Sequence, residues 1–204
     1  MKVVKGTNQK TLAKAVSVLR KGGIVFAPTD TIYGLLADAT DQDAVNRLYQ
    51  IRRPSGRPFI ILLPDTDWLH TLDLYADEKT LSLLDLHITV IFYKRTTYPL
   101  HLTRGRKSLA FRLPPEKTFI RELLELFGRP LVAPSANPEG LPPAVDVKMA
   151  QEYFGDQIDL YIDAGTIEGK PSTIVRVIGK KGIRLVREGS VEFEKVLKFA
   201  RENL

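Results

Sequence analysis

The stretch IVFAPTDTIYGLLAD, residues 24–38, carries the strongest structural signal in this chain. It begins as an apolar run typical of a buried strand. After Pro28 the tripeptide Thr-Asp-Thr (29–31) interrupts the run, which turns apolar again from Tyr33. Read alone, the tripeptide is best explained as a cap, because Thr and Asp side chains bond readily to neighbouring backbone amides. The alternative is that the strand stops here so that polar side chains can face a ligand.

The composition of the 204 residues is that of an ordinary globular protein, with 44% hydrophobic and 26% charged residues. This length suits one medium-sized domain with a real core, and we place no domain boundary within residues 1–204. No apolar run approaches the roughly 18 residues that a membrane span needs, and the N-terminal residues lack the apolar core of a signal peptide. The sequence therefore predicts a soluble, cytoplasmic protein with no membrane association.

The residue types present limit the possible chemistry. The chain has no cysteine, which excludes disulfides, thiolate catalysis and cysteine metal sites. Its three histidines, His70, His87 and His101, show none of the short spacings of a zinc site. We predict no catalytic role for them and no metal site built by the protein. The phosphate-loop patterns GxxxxGK[ST] and GxGxxG do not occur, but the net charge of +6 favours an anionic partner such as a nucleotide or RNA.

Helical and strand patterns follow one another along the chain. Mixed helices and strands predict a layered α/β fold, and the hairpin-like spacing of the last strands predicts a mixed sheet. The predicted helices are 9–23, 41–53, 78–86, 117–128, 147–155 and 192–202. The predicted strands are 24–28, 59–64, 88–94, 109–114, 130–134, 159–165, 172–178 and 183–188.

Polar segments recur at the ends of predicted strands, where ligands bind in open α/β folds. Beyond the opening stretch these are RRPSGRP (52–58), PSANPEG (134–140), KPSTIV (170–175) and Arg187. RRPSGRP is either a solvated turn or a compact anion cradle, because guanidinium forks match phosphate oxygens. PSANPEG reads as a turn at Asn137, although the small residues before it would let a ligand approach the backbone.

Taken together and in this order, these segments resemble the threonylcarbamoyl-adenylate synthase family, which has the YrdC-like fold. The resemblance covers nearly the whole chain and implies one α/β domain. Its sheet is expected to be twisted and mixed, parallel and antiparallel, flanked by helices and with a basic central cleft. The matching motifs are PTDTIYGL (28–35), RRPSGRPF (52–59), FRLP (111–114), SANPEGLPP (135–143), PSTIV (171–175) and REG (187–189).

The resemblance implies a nucleotidyltransferase that joins L-threonine, bicarbonate and ATP to give threonylcarbamoyl-AMP and pyrophosphate. The threonine amine would take up carbon dioxide as a carbamate, whose oxygen attacks the α-phosphate of ATP, so that no protein nucleophile is needed. A Mg²⁺ ion is expected to be held mainly by the triphosphate. A separate tRNA threonylcarbamoyl transferase would then use the product to modify an adenosine beside the anticodon.

The resemblance also assigns roles to single residues. Thr31 and Ser172 are expected to hold the substrate threonine, and Arg52 and Arg53 are the expected catalytic residues. Tyr33 is expected to pack beneath the site. The residues expected to contact ATP are Arg52, Arg53, Arg57, Arg112, Ser135, Asn137 and Arg187.

The chain departs from the family pattern in the second motif. The family lysine falls on Ile51, or on Arg52 if one residue is deleted, and PTDT with the ending LVREG is similar to the YciO branch. An alternative function is a non-catalytic protein that binds RNA, double-stranded RNA included, in the same basic cleft. A third is a carbamoyl-adenylate enzyme of the kind found in hydrogenase maturation proteins, although their extra domains are not part of this sequence.

Overall fold

The structure is a computed structural model that describes residues 2–52, 56–71, 73–179 and 182–204. Within these ranges the strands are β1 (Val3–Lys5), β2 (Val25–Pro28), β3 (Tyr33–Asp38), β4 (Ile60–Leu62), β5 (Thr89–Tyr93), β6 (Ser108–Arg112), β7 (Leu131–Val132), β8 (Leu160–Asp163), β9 (Ile174–Ile178) and β10 (Gly182–Arg187). The α-helices are α1 (Gln9–Leu19), α2 (Gln42–Arg52), α3 (Asp67–His70), α4 (Glu78–Leu81), α5 (Leu100–Thr103), α6 (Phe119–Phe127), α7 (Val147–Phe154) and α8 (Phe193–Asn203).

The strands form one mixed sheet in the order β1-β8-β2-β3-β7-β4-β6-β5-β9-β10. Strands β2 and β3 pair antiparallel, as do β9 and β10. Strands β4 and β6 pair parallel, as do β5 and β9. The predicted mixed sheet, with a hairpin made by its last two strands, is therefore confirmed.

The opening stretch forms two central strands, where the sequence predicted one. Strands β2 and β3 are a hairpin in which Pro28 pairs with Tyr33, so the tripeptide 29–31 lies in its turn. Every residue of β3 is buried, between β2 on one side and β7 on the other. Because a continuous apolar run can be a buried strand or a buried helix segment, periodicity alone could not identify β3.

Alternating side chains of the strands enter two separate cores. In β2, Phe26 belongs to the larger core, whereas Val25 and Ala27 belong to the smaller one. Helices α1 and α6 pack over the smaller core, and α2, α7 and α8 contribute to the larger one. No helix in the described part of the chain is both long and apolar enough to span a membrane.

The helix ends follow local capping signals. Asp41 accepts hydrogen bonds from the backbone amides of Asp43 and Ala44 and so begins α2. The predicted helix 78–86 is instead the short α4 followed by a 3₁₀ turn, which ends at His87 in the left-handed conformation. The tight turn brings the chain round to β5.

One half of the sheet is left uncovered on the side of the smaller core. Phe92 of β5 and Phe111 of β6 point into the larger core, so their neighbours Ile91 and Ala110 face the opposite side. Among the described residues, no buried member of the smaller core comes from β5, β6, β9 or β10. The open face of these four strands is the floor of the site described next.

Candidate functional site

A cavity of about 460 Å³ lies where the polar segments meet. It opens above β4, β5, β6 and β9, and the turn of the β2–β3 hairpin forms one wall. Its lining includes one predicted residue from each of the six motifs that are far apart in sequence. These residues are Thr31, Arg57, Arg112, Ser135, Ser172 and Arg187.

The tripeptide 29–31 acts both as a turn and as a wall of the cavity. The Thr29 hydroxyl donates to the Ile32 carbonyl at 2.6 Å and accepts from the amides of Thr31 and Ile32 at 3.2 and 3.3 Å. Thr29 is therefore the cap that the sequence suggested. All three residues of the tripeptide line the cavity, so it is both a cap and a wall of the site.

Asp30 forms a buried ion pair with Arg112. Their side chains are 8% and 4% exposed, and Nη2 of Arg112 donates to Oδ2 of Asp30. The other carboxylate oxygen of Asp30 and the Nε and Nη1 atoms of Arg112 are buried, with no hydrogen-bond partner among the described residues. Because buried polar groups are normally hydrogen-bonded, this pair has unused bonding capacity at the cavity wall.

A second guanidinium lies near Arg112. Arg187 donates from Nη2 and Nε to the backbone carbonyl of Ser172 at 2.8 and 3.3 Å. Burial, and then the positive charge of Arg112, lower the pKa of Arg187 from its usual value. Arg112 and Arg187 both line the cavity, and Asp30 is the one carboxylate among its described lining residues, an arrangement that favours an added anion.

The Ser172 hydroxyl is held in a fixed position. It lies 2.8 Å from the hydroxyl of Thr89, which is fully buried at the start of β5. Ser172 itself is buried except for the small part that lines the cavity. A preorganised hydroxyl of this kind can bind a polar ligand group without first losing rotational freedom.

Arg52 supports the loop that carries Ser135. Its Nε donates to the Ser135 carbonyl at 2.7 Å, and its Nη2 donates to the Ser135 hydroxyl at 2.9 Å and to Asn137 Oδ1 at 3.3 Å. The Asn137 amide nitrogen donates to the carbonyls of Pro138 and Leu141. Ser135 lines the cavity, whereas Arg52 and Asn137 are not among its described lining residues.

Three residues named in the sequence analysis remain: Arg57, Arg53 and Tyr33. Arg57 is exposed and lines the cavity, while Arg53 lies outside the described residues. Tyr33 is fully buried, stacks on Phe26 at 4.4 Å, and its hydroxyl donates to the Gly165 carbonyl at 2.8 Å. Burial raises the pKa of Tyr33, and the expectation that it packs beneath the site is confirmed.

Sequence reasoning missed several residues that line the cavity. Asp30 was read only as part of a cap, and Arg106 was not among the predicted site residues. Arg176 lies in the middle of a predicted strand. An arginine at an alternating position of an otherwise apolar strand was the available signal, since that position faces one side of the sheet. The missed lining residues include Asp30, Arg106, Ser108 and Arg176.

The described residues contain no group of three or more His, Asp or Glu side chains that converge on a possible metal position. Asp30 is the one carboxylate among the described lining residues, and Arg112 already engages it. This donor set does not suit a protein-held cation.

The chain is similar to known proteins over most of its length. A family model described as Telomere recombination, which covers the Sua5, YciO and YrdC proteins, matches residues 17–189. The threonylcarbamoyl-AMP synthase of Pyrococcus abyssi is 31% identical over 92% of this chain and 56% of that protein. The synthase of Bacillus subtilis is 33% identical over 82% of this chain and 49% of that protein. The chain thus spans about half the length of these curated relatives.

Solved structures resemble the whole fold. The structure of P. abyssi Sua5 complexed with L-threonine has a TM-score of 0.86 and 29% identity, covering 97% of this chain and 60% of that one. The structure of Escherichia coli YciO has a TM-score of 0.80 and 27% identity, covering 95% of this chain and 97% of that one. With the match of the family model over residues 17–189, the conclusion is that this chain belongs to the Sua5/YciO/YrdC family.

Proposed function

We propose that this protein is an L-threonylcarbamoyladenylate synthase. It joins L-threonine, bicarbonate and ATP to give threonylcarbamoyl-AMP and pyrophosphate, and the product supplies the threonylcarbamoyl group for tRNA modification. The observation that carries the proposal is that one residue from each of the six motifs lines one cavity. Its volume of about 460 Å³ is in the range of small-molecule sites.

The end of the cavity around Thr31 and Ser172 suits an amino acid. Two hydroxyls lie there beside the guanidiniums of Arg112 and Arg187. Hydroxyls can bind the polar groups of threonine, and a guanidinium is the strongest protein donor to a carboxylate or phosphate oxygen. Two comparisons support this assignment. The relatives from P. abyssi and B. subtilis are named threonylcarbamoyl-AMP synthase, and P. abyssi Sua5 has been solved in complex with L-threonine.

The proposed reaction needs positioning and charge neutralisation rather than a protein nucleophile. The threonine amine takes up carbon dioxide as a carbamate, whose oxygen attacks the α-phosphorus of ATP while pyrophosphate leaves. Arginines that line the cavity, Arg57, Arg112 and Arg187, offset the charge that develops on the phosphate oxygens. Arg52 would act through Ser135, and Arg53 is proposed to reach the phosphates.

We assign Mg²⁺ to the nucleotide rather than to the protein. When bound on the triphosphate oxygens, the ion would offset phosphate charge during the transfer. Asp30, the one carboxylate among the described lining residues, keeps its ion pair with Arg112.

The deciding experiment incubates the purified protein with ATP, Mg²⁺, labelled bicarbonate and either L-threonine or L-serine. We expect threonine-dependent release of pyrophosphate and a labelled adenylate. ATP turnover that is indifferent to threonine would overturn the proposal. Tight, salt-sensitive RNA binding without any turnover would instead favour the non-catalytic RNA-binding alternative.

Thr31→Ala tests the amino-acid end. Loss of one hydrogen bond to the ligand should weaken L-threonine binding up to about tenfold, measured by calorimetry, while the melting temperature stays near that of the wild type. Thr7→Ala, which changes an exposed threonine near the N-terminus, is the matched control. Wild-type threonine affinity in the Thr31 variant would remove Thr31 from the site.

A further inference from the structure

The open sheet face continues past the amino-acid end of the cavity. The register pairs Arg112 of β6 with Thr89 of β5, and Thr89 with Ile174 of β9. One row further along, Ile91 pairs with Arg176. Arg176 is thus two strands and two residues from Arg112, or about 12 Å away at ordinary strand spacing.

Arg176 is held in place by its neighbours. Its Nη1 donates to the Ser108 hydroxyl at 3.2 Å, and its guanidinium lies 5.4 Å from the ring centroid of Tyr93. Both Ser108 and Arg176 line the cavity, as does Arg106 just before β6. A stacked and anchored guanidinium can bind an anion with little loss of side-chain entropy.

This end of the face carries positive charge that the described protein does not neutralise. Arg106 and Arg176 form no ion pair with a carboxylate anywhere in the described ranges, and neither does Arg184. Arg184 lies directly opposite Arg176 across the β9–β10 pair, hence on the same face. Like charges in such a pair are unfavourable, and β5, β6, β9 and β10 contain no Asp or Glu.

Arg106 and Arg176 lie at the opposite end of this face from the Asp30–Arg112 ion pair, whereas Arg52 bonds Ser135 and Asn137 outside the described lining of the cavity. A ligand that runs from Arg112 toward Arg176 must be extended and anionic at its far end. The polyphosphate chain of a nucleoside triphosphate has both properties.

We propose that Arg106 and Arg176, with the Ser108 hydroxyl, form the subsite for the terminal phosphates of the nucleotide substrate and for the pyrophosphate that leaves. The inference rests on the proposed function, which supplies the substrate. It assigns a role to an end of the same cavity that none of the six motifs covers. Arg184 adds positive potential at the rim. The α-phosphate lies toward Arg112 and Arg187, where the carbamate forms.

The test measures the binding of AMP, ADP, ATP and pyrophosphate by calorimetry, with and without Mg²⁺. In Arg176→Ala and Arg106→Ala we expect ATP and pyrophosphate to bind about tenfold more weakly, since each loses a charge-assisted hydrogen bond. AMP and L-threonine should change by less than about twofold, because neither needs this end of the cavity. Arg176→Lys should recover part of the pyrophosphate affinity by restoring the charge.

Arg95→Ala is the matched control. Arg95 also stacks on a tyrosine, 4.9 Å from the ring centroid of Tyr75, but it pairs with Asp73 and does not line this cavity in the described chain. Its removal should leave all four affinities unchanged. Equal losses for AMP and ATP in the Arg176 variant, or losses as large in the Arg95 variant, would show a general effect of charge and overturn the subsite.

The outcome separates this inference from the proposed function. If the wild type makes the adenylate but Arg106→Ala and Arg176→Ala bind pyrophosphate normally, only the subsite fails. If the wild type makes no adenylate yet loses pyrophosphate binding selectively in these variants, the subsite stands and the proposed reaction fails. Arg106 is exposed, so its variant gives an answer even if Arg176→Ala impairs folding.

Discussion

Asp30 is the residue whose role is least expected from the sequence. It lies at the tip of a hairpin turn, where an aspartate would ordinarily bond to nearby amides. Instead Thr29 makes those bonds, and Asp30 is left to pair with Arg112 across the cavity. This carboxylate thereby offsets the charge of Arg112 in the folded protein without a ligand.

We predict that Asp30→Asn destabilises the protein and makes it more responsive to anions. Removing one partner of a buried ion pair should lower the free energy of unfolding by about 3 kcal/mol, because the guanidinium of Arg112 stays buried without its counter-charge. Inorganic phosphate should then raise the melting temperature of the variant more than that of the wild type, since an anion that binds only the folded state stabilises it.

Thermal unfolding in a phosphate titration measures this effect. Asp85→Asn, which alters an exposed carboxylate outside the described lining of the cavity, should respond to phosphate as the wild type does. Equal phosphate responses in the Asp30 variant and the wild type would show that Asp30 does not shield the cavity cations.

The sequence indicated which segments come together, but it did not indicate the contacts that each residue makes. Thr31, Ser172 and Arg187 were placed together by the motifs, and all three line one cavity. Arg52 is expected to face the phosphates, which stays a prediction, and the structure adds that it bonds the loop at Ser135. Motif order reports which segments converge, whereas hydrogen-bond partners depend on side-chain directions that only the folded chain determines.

At the scale of elements, the segment between β8 and β9 packs against the turn of the β2–β3 hairpin. A Cβ atom placed on Gly169 would lie 2.3 Å from the carbonyl oxygen of Thr31, so this segment lies directly against the turn. In the same segment, the carbonyl of Gly165 accepts a hydrogen bond from the hydroxyl of Tyr33. The contacts of Gly169 with Thr31 and of Gly165 with Tyr33 left no periodic signal in either stretch, so neither contact was predicted.

Gly169→Ala should therefore impair the site more than the fold. The added methyl group would collide with the carbonyl oxygen of Thr31, so the segment must move away from the turn. This movement displaces Thr31, and it also displaces Ser172, which lies three residues after Gly169. We expect L-threonine to bind about tenfold more weakly, in line with a lost or misplaced hydrogen bond, and the melting temperature to fall somewhat, because the clash is with a backbone atom. Glu168→Ala, an exposed neighbour, is the control in the same calorimetric titration. Unchanged threonine affinity would mean that the contact with Thr31 does not position it.

At the scale of the whole molecule, the two cores explain why the cavity lies on one half of the sheet. Helices α1 and α6 cover the face on the side of β1, β8, β2 and β7, with Leu62 of β4 at the edge of that core. Beyond β4 the same face carries arginines and a serine. The element types were predictable from apolar periodicity, but the strand order that places β6 and β9 on either side of β5 was not, because their pairings are long-range.

Burial of tyrosines in the larger core makes the fold sensitive to high pH. Tyr161 is fully buried, and its hydroxyl donates to the Gly155 carbonyl at 2.6 Å. Burial, with the nearby charge of Asp156, raises the pKa of Tyr161 from 10.0 to about 12. A pKa that is higher in the folded than in the unfolded state stabilises the fold fully below pH 10.0, and this contribution is lost as the pH rises toward about 12.

We therefore predict that Tyr161→Phe changes the alkaline part of the stability curve. At pH 8 the variant should be less stable by about 1 kcal/mol, the usual value of one hydrogen bond. Above pH 10.0 its free energy of unfolding should fall less steeply than that of the wild type, because one group that must ionise on unfolding is gone. Denaturant unfolding at a series of pH values measures both slopes.

Tyr75→Phe is the control. It alters a tyrosine that is 59% exposed and should follow the wild-type curve. If the Tyr161 variant runs parallel to the wild type above pH 10.0, the buried hydroxyl does not set the alkaline limit of the fold.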